Sequence, residues 1–232
     1  MLIPRENPLP ALLSFTASWV PDLSPTHRVP ARLIPSFVPA PLKAIYAFAG
    51  NYPVSYTEQW RTPNWIAGLF GKQDQLLPLD QLVVKRDRFA FIHENQGVWA
   101  CETVIDQDDP PVFCDYGFYD NESANGAYEV CPSLSLFLTT FCLRELVFGS
   151  QNLFCVESEP KSPSELVAND VAPLWIAGKY VYDDEEALYS FYLCGRDLLI
   201  MCSQAPCDYW LAYNSEGASK LIDTKHEIRR IN

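Results

Sequence analysis

The chain is poor in the residues that carry most enzymatic chemistry. It holds three histidines (His27, His93 and His226) and ten glycines among 232 residues. It contains no G-x-x-x-x-G-K-[ST], G-x-G-x-x-G, G-x-S-x-G or H-E-x-x-H. Phosphate-cradling loops, the nucleophile elbow and the zinc-protease helix therefore have no basis in it. No run approaches about 18 consecutive apolar residues, so no transmembrane helix is predicted. The start, Met-Leu-Ile-Pro-Arg-Glu-Asn-Pro, lacks a basic segment followed by an unbroken apolar one, and no signal peptide is predicted. The expected compartment is cytoplasmic, with no membrane partner. Eight cysteines, at 101, 114, 131, 142, 155, 194, 202 and 207, include no C-x-x-C pair. The closest two, Cys202 and Cys207, have no histidine nearby to complete a zinc site. Most sit among apolar neighbours, where free cysteine acts as a small hydrophobe in a reducing cell. The expectation is reduced thiols, no metal and no cofactor.

Basic residues are also missing from one long stretch. The formal net charge is −12, from 17 Lys and Arg against 29 Asp and Glu. Between Phe89 and Leu143 there is no Lys or Arg, while that span carries Glu94, Glu102, Asp106, Asp108, Asp109, Asp115, Asp120, Glu122 and Glu129. So one-sided a field repels nucleic acid and steers a basic partner towards the surface. Aromatic side chains, the usual anchors of an interface, interleave with these acids. The candidate partner-binding residues are Asp106, Asp108, Asp109, Asp115, Tyr116, Phe118, Tyr119, Asp120 and Glu122. The C-terminal group Lys225, His226, Arg229 and Arg230 is too short, and too mixed with Glu227, for a nucleic-acid patch.

The segment from Phe89 to Ile105 reads as a hairpin. Period-two alternation puts Phe89, Phe91 and His93 on one face, and Ala90, Ile92 and Glu94 on the other. Asn95-Gln96-Gly97 supplies the turn, with Gly97 able to take a positive φ. On the second strand Trp99, Cys101, Thr103 and Ile105 oppose Val98, Ala100, Glu102 and Val104. Both faces are largely apolar, which predicts a hairpin inside a sheet covered on both sides.

These residues also carry a family likeness. Glu94-Asn95-Gln96-Gly97-Val98-Trp99, with Asp109-Pro110-Pro111-Val112 after it, resembles the signature of the SUKH superfamily, the Smi/Knr-type fold. Pro41 to Asn51 resembles that family's first core helix and the Gly-Asn after it, and Ser133 to Leu138 the start of its later helix. The likeness covers roughly residues 38 to 150. It implies an α+β fold, a mostly antiparallel sheet flanked by a few helices, in which Glu94, Asn95, Gln96, Gly97, Trp99, Pro110 and Pro111 are structural. It also implies a binding module without a catalytic motif. Bacterial relatives mostly look like immunity proteins that neutralise toxins, often nucleases, and fungal relatives act as regulatory scaffolds.

The rest of the chain is organised around this core. Nine of the 19 prolines fall in residues 1–41, which predicts a proline-rich arm over 1–38 without long helices. A helix is predicted from Ala40 to Ala49, ended by Gly50-Asn51. Tyr56 to Phe70, with Trp60 and Trp65 as packing residues, suggests a loop and a short helix. Ser133 to Phe148 has apolar residues at helical spacing, with Ser133 as N-cap and Gly149 as C-cap. The SUKH-like core is placed at 39–156, a linker at 157–170, and a β-rich extension continuing the same sheet at 171–232. In the extension, 179–182, 187–194, 198–202 and 209–213 read as an antiparallel meander ending in a last short strand. The functional expectation is a non-enzymatic protein-binding module, a bacterial immunity protein that occludes a basic, nuclease-type toxin domain. The alternatives are an intracellular scaffold of the same fold, or a cysteine-dependent hydrolase in which His93 activates Cys101 or Cys114.

Overall fold

The computed structural model describes residues 2–52, 68–116, 127–157, 160–182, 185–203, 208–223 and 225–231. Trp60, Trp65 and most of the helix expected near them lie outside the described residues. Helices and two six-stranded antiparallel sheets make an α+β fold. The chain forms two compact units, residues 20–138, and residues 1–19 together with 139–232. Among the described residues, no helix is long and apolar enough to cross a membrane.

In the unit 20–138, Pro41 sits in the first turn of a helix, where a missing N–H leaves no bond unmade. Leu42, Ile45, Tyr46 and Ala49 then recur on one buried stripe of helix α2, Ala40–Ala49, and Gly50 closes it by donating its N–H to Tyr46 O at 2.9 Å. The strands are β1 Asp74–Leu76, β2 Val84–Lys85, β3 Arg88–Glu94, β4 Trp99–Val104, β5 Val112–Tyr116 and β6 Tyr128–Cys131. They pair in the order β1-β3-β4-β5-β6, with β2 also on β3. The hairpin β3–β4 is therefore central, as predicted. Its faces differ from the prediction because the register slips between Ala90 and Ile92. The slip makes Phe91 a bulge residue. Phe89 and Ile92 now share one face, with Cys101, Thr103, Val112 and Cys114, and all of these are buried. His93, Ala100 and Asp115 form one row of the other face, and Ala90, Glu102, Phe113 and Glu129 the next. This second face is only partly covered, since Glu102, Phe113 and Asp115 are half-buried and Glu129 is exposed.

Helix α3, Leu134–Phe148, begins as predicted, with Ser133 Oγ accepting the N–H of Leu136 at 3.2 Å. At its far end the Gly149 N–H donates to Glu145 O at 2.8 Å. Instead of an amphipathic stripe, every residue from Phe137 to Val147 is buried, the pattern of a helix enclosed all round. The boundary between the two units falls within it, after Leu138.

The second unit overturns three expectations of domain layout. The arm expected to lack long helices holds one of 12 residues, α1, over Pro8–Trp19. Its two prolines fall in the first turn, where their missing N–H groups cost nothing. Leu9, Leu12, Phe15, Thr16 and Trp19 form its buried face, Trp19 Nε1 donates to Ser150 Oγ at 3.3 Å, and Asn214 Nδ2 donates to Trp19 O at 3.1 Å. Secondly, the C-terminal strands do not continue the first sheet. β7 Asn152–Val156, β8 Val171–Tyr182, β9 Glu185–Cys194, β10 Leu198–Ser203, β11 Tyr209–Tyr213 and β12 Ile228–Arg230 build their own, in the order β12-β7-β11-β10-β9-β8. β7 pairs with β11 and β12, so the predicted core limit at 156 cuts through this sheet. The predicted meander β8–β11 is present. Thirdly, 157–170 is no free linker. Leu166 and Val167 are buried in this unit's core, and Val167 bridges to Ile222. The N-terminal residues complete the edge of β8: Ile3 N–H donates to Leu174 O at 2.9 Å, and the Arg5 guanidinium donates to the carbonyls of Ile176 and Ala177 at 2.5 and 3.0 Å.

Candidate functional site

The described acidic candidates fall at two ends of strand β5. Asp106, Asp108 and Asp109 are exposed in the β4–β5 loop. Asp115 and Tyr116 stand at the other end of β5, separated by at least ~10 Å of strand at about 3.3 Å per residue. Phe118, Tyr119, Asp120 and Glu122 lie outside the described residues.

Asp109 is committed to a local task. Its Oδ1 accepts the backbone N–H of Ser135 at 2.7 Å, and its Oδ2 accepts the hydroxyls of Ser133 at 2.6 Å and Ser135 at 2.9 Å. A carboxylate over the first turn of α3 satisfies an N–H without a helical partner and faces the positive end of the helix dipole. Pro110 O accepts the Leu134 N–H at 2.8 Å, and Pro111 O accepts the Thr103 hydroxyl at 2.9 Å. The Asp109-Pro110-Pro111 segment thus ties β4 and β5 to the start of α3. The turn motif is structural in the same way. Glu94 Oε2 accepts the N–H groups of Gln96 at 2.7 Å and Val98 at 3.2 Å, while Gly97 sits at φ +76°. Asn95 is half-buried in that turn, and Trp99 is buried opposite Tyr116.

What strand pairing does assemble is a set of acids on the partly covered face. Glu102, Phe113 and Glu129 face one another across β4, β5 and β6, and Asp115 lies one row along, diagonal to both glutamates. Diagonal neighbours on a sheet interact across about 7–8 Å. Partial burial raises the Glu102 carboxyl above its ordinary range, the Asp115 charge adds to this, and Arg88 and Lys85 work against it. The Arg88 guanidinium lies 3.8 Å from the centre of the Phe113 ring. Asp115 Oδ1 is enclosed and takes no hydrogen bond from a described residue. Tyr116 stacks nearly parallel on Tyr128, centroids 6.2 Å apart. Glu102, Glu129 and Arg88 were not among the sequence candidates. Alternation alone put Glu102 on a different face from Cys101, but only the strand register brings it beside Asp115.

The histidine–cysteine pairing does not form. His93 lies on the Glu102 face and the Cys101 and Cys114 side chains on the opposite, buried face. Burial lowers His93 to about 4, so the ring is neutral at pH 7. Burial, and then the Cys114 thiol beside it, push the Cys101 thiol well above its ordinary value. All seven described cysteines are free thiols, with Cys155 and Cys202 half-buried and the rest buried. No group of three or more His, Cys, Asp or Glu among the described residues is placed to hold a metal ion.

The fold defines a protein of the α+β class. Comparison of the chain with protein-family models, with curated proteins and with solved structures gives no match.

Proposed function

We propose that this chain is a non-enzymatic protein-binding module of the SUKH type that it resembles, and that it neutralises a basic, nuclease-type toxin domain in the cytoplasm. The observation that carries the reading is the set Glu102, Asp115 and Glu129 around Phe113 on a half-covered sheet face. Arg88 and Lys85 offset part of this acidity, and a nuclease must hold phosphates with Lys and Arg that such carboxylates can occupy. Asp106 and Asp108, exposed at the other end of the sheet, add to the steering field. The order of helix α2, antiparallel strands and helix α3 agrees with the order of the segments that resemble SUKH proteins. Free thiols fit a reducing compartment.

The test is affinity capture from native lysate at low and moderate salt, followed by the affinity of the recovered partner for wild type and for a Glu102→Gln, Asp115→Asn, Glu129→Gln variant. A basic toxin domain whose binding weakens at least tenfold in the variant, with a shallower salt dependence, supports the proposal. Unchanged affinity and salt slope would overturn the surface. Recovery of signalling or envelope proteins instead would favour a regulatory scaffold of the same fold.

A further inference from the structure

Among the described residues, Cys101 and Cys114 are the one pair of cysteines that oppose each other directly across two strands. Both side chains point to the buried face and both residues are fully buried. Directly opposed residues in an antiparallel pair have Cα atoms about 4.5 or 5.5 Å apart, inside the roughly 4.4–6.8 Å that a disulfide spans. Cβ atoms in such pairs stand about 4.5–5.5 Å apart, and a disulfide draws them to about 3.8 Å. The two strands need only a small approach, and a bond closed under such tension is readily reduced again.

Access to the pair comes from one side. β4 is interior to the sheet, whereas among the described residues β5 has only β6 between it and the edge, and the described β5–β6 ladder covers Tyr128–Cys131 with a register slip. Tyr128 lies opposite Cys114 and its ring stacks on that of Tyr116, two residues further along β5. Short edge ladders open at far lower cost than a whole domain, and opening this one uncovers Cys114 before Cys101.

The geometry points to Cys101 and Cys114 as the two halves of a reversible cross-strand disulfide, a modification site separate from the partner face. The oxidant is a hydroperoxide. The Cys114 sulfur attacks the terminal oxygen of the O–O bond, which breaks, giving a sulfenic acid on Cys114 and releasing an alcohol, or water from hydrogen peroxide. The Cys101 sulfur then attacks the sulfenic sulfur, the S–S bond forms, and the hydroxyl leaves as water with the Cys101 proton. Two electrons pass from the two thiols to the peroxide. The first step is slow because the pair is buried, and the second is fast because the partner is already in place.

The test treats the reduced full-length chain with graded hydrogen peroxide, unfolds it in alkylating reagent, and maps unreduced peptides by mass spectrometry. The expected product joins the Cys101 and Cys114 peptides, lacks two hydrogens, forms more slowly than oxidation of half-buried Cys155 and Cys202, and disappears on treatment with dithiothreitol. Tyr128→Ala should accelerate it several-fold by uncovering Cys114, and in Cys114→Ala the linked peptide should vanish. The wild-type map decides the matter even where a variant folds poorly. Recovery of Cys101 and Cys114 as free thiols once Cys155 and Cys202 are fully oxidised would overturn the inference, as would a bridge from either to another cysteine. An unchanged rate in Tyr128→Ala would overturn the edge route.

Discussion

Asp109→Ala tests whether this acid serves the fold or a partner. The carboxylate makes three short hydrogen bonds at the start of α3, to the Ser135 N–H and to the hydroxyls of Ser133 and Ser135. Losing a helix N-terminal cap costs about 0.5–2 kcal/mol, and a charge near a helix terminus adds about 0.3–1 kcal/mol. Asp109 is exposed, and Ser133 Oγ still holds the Leu136 N–H at 3.2 Å, so the sum is discounted to about 1.5 kcal/mol. With a urea dependence of about 2 kcal/mol per molar, the unfolding midpoint should fall by roughly 0.7 M. Asp109→Asn keeps an acceptor over the Ser135 N–H but loses the charge, and should recover about half the deficit. Equilibrium urea unfolding followed by circular dichroism and by tryptophan fluorescence reads both variants. Midpoints equal to wild type would refute the cap, and a loss of partner affinity at unchanged stability would return Asp109 to the binding surface.

Burial holds His93 neutral, at about 4 instead of 6.5. A depressed value means that the contribution to stability is complete above pH 6.5 and is lost as pH falls towards 4, with a loss of about 1–2 kcal/mol after allowance for partial exposure. His93→Gln should flatten this acid limb in urea titrations between pH 7 and pH 4. Glu102 carries the opposite sign, because its raised carboxyl favours the protonated form. Stability should therefore fall as pH rises out of the ordinary glutamate range, and Glu102→Gln should melt higher than wild type at pH 7 and lose that slope. A methyl at Gly178 would collide with the Trp175 indole nitrogen and the Thr140 hydroxyl, which bond to each other at 3.0 Å. Gly178→Ala should cost about 2–4 kcal/mol from overpacking plus a lost buried hydrogen bond, seen as a lower melting temperature and a changed near-ultraviolet spectrum of Trp175.

The parts of the fold legible in the sequence were those whose signal is local. α2 matches its predicted bounds of Ala40–Ala49, α3 starts one residue after the predicted Ser133 cap, and β11 falls on 209–213 as expected. In each, apolar spacing, a cap or a turn residue decides the outcome within a few positions. Non-local facts were not legible. The bulge at Phe91 shows only in the pairing of β3 with β4, and no residue in Phe89–Glu94 announces it. The prolines of α1 looked prohibitive, yet at its first turn they are harmless, and its apolar face is buried in a unit otherwise made after residue 138. The candidate site shows the same division. Charge and aromatic content pointed to the stretch that holds these acids, while which of them lie together depends on register: Glu102 and Glu129 join Asp115, and Asp109 caps the helix.

The joining of residues 1–19 to 139–232 has a consequence for synthesis on the ribosome. α1 emerges early with Leu12, Phe15 and Trp19 ready to be buried, but Asn214, which holds its C-terminal carbonyl, follows 195 residues later. At about 5–20 residues per second, that apolar helix waits roughly 10–40 s for its partners. Throughout that interval its apolar face stays uncovered, a surface to which a holding chaperone can bind.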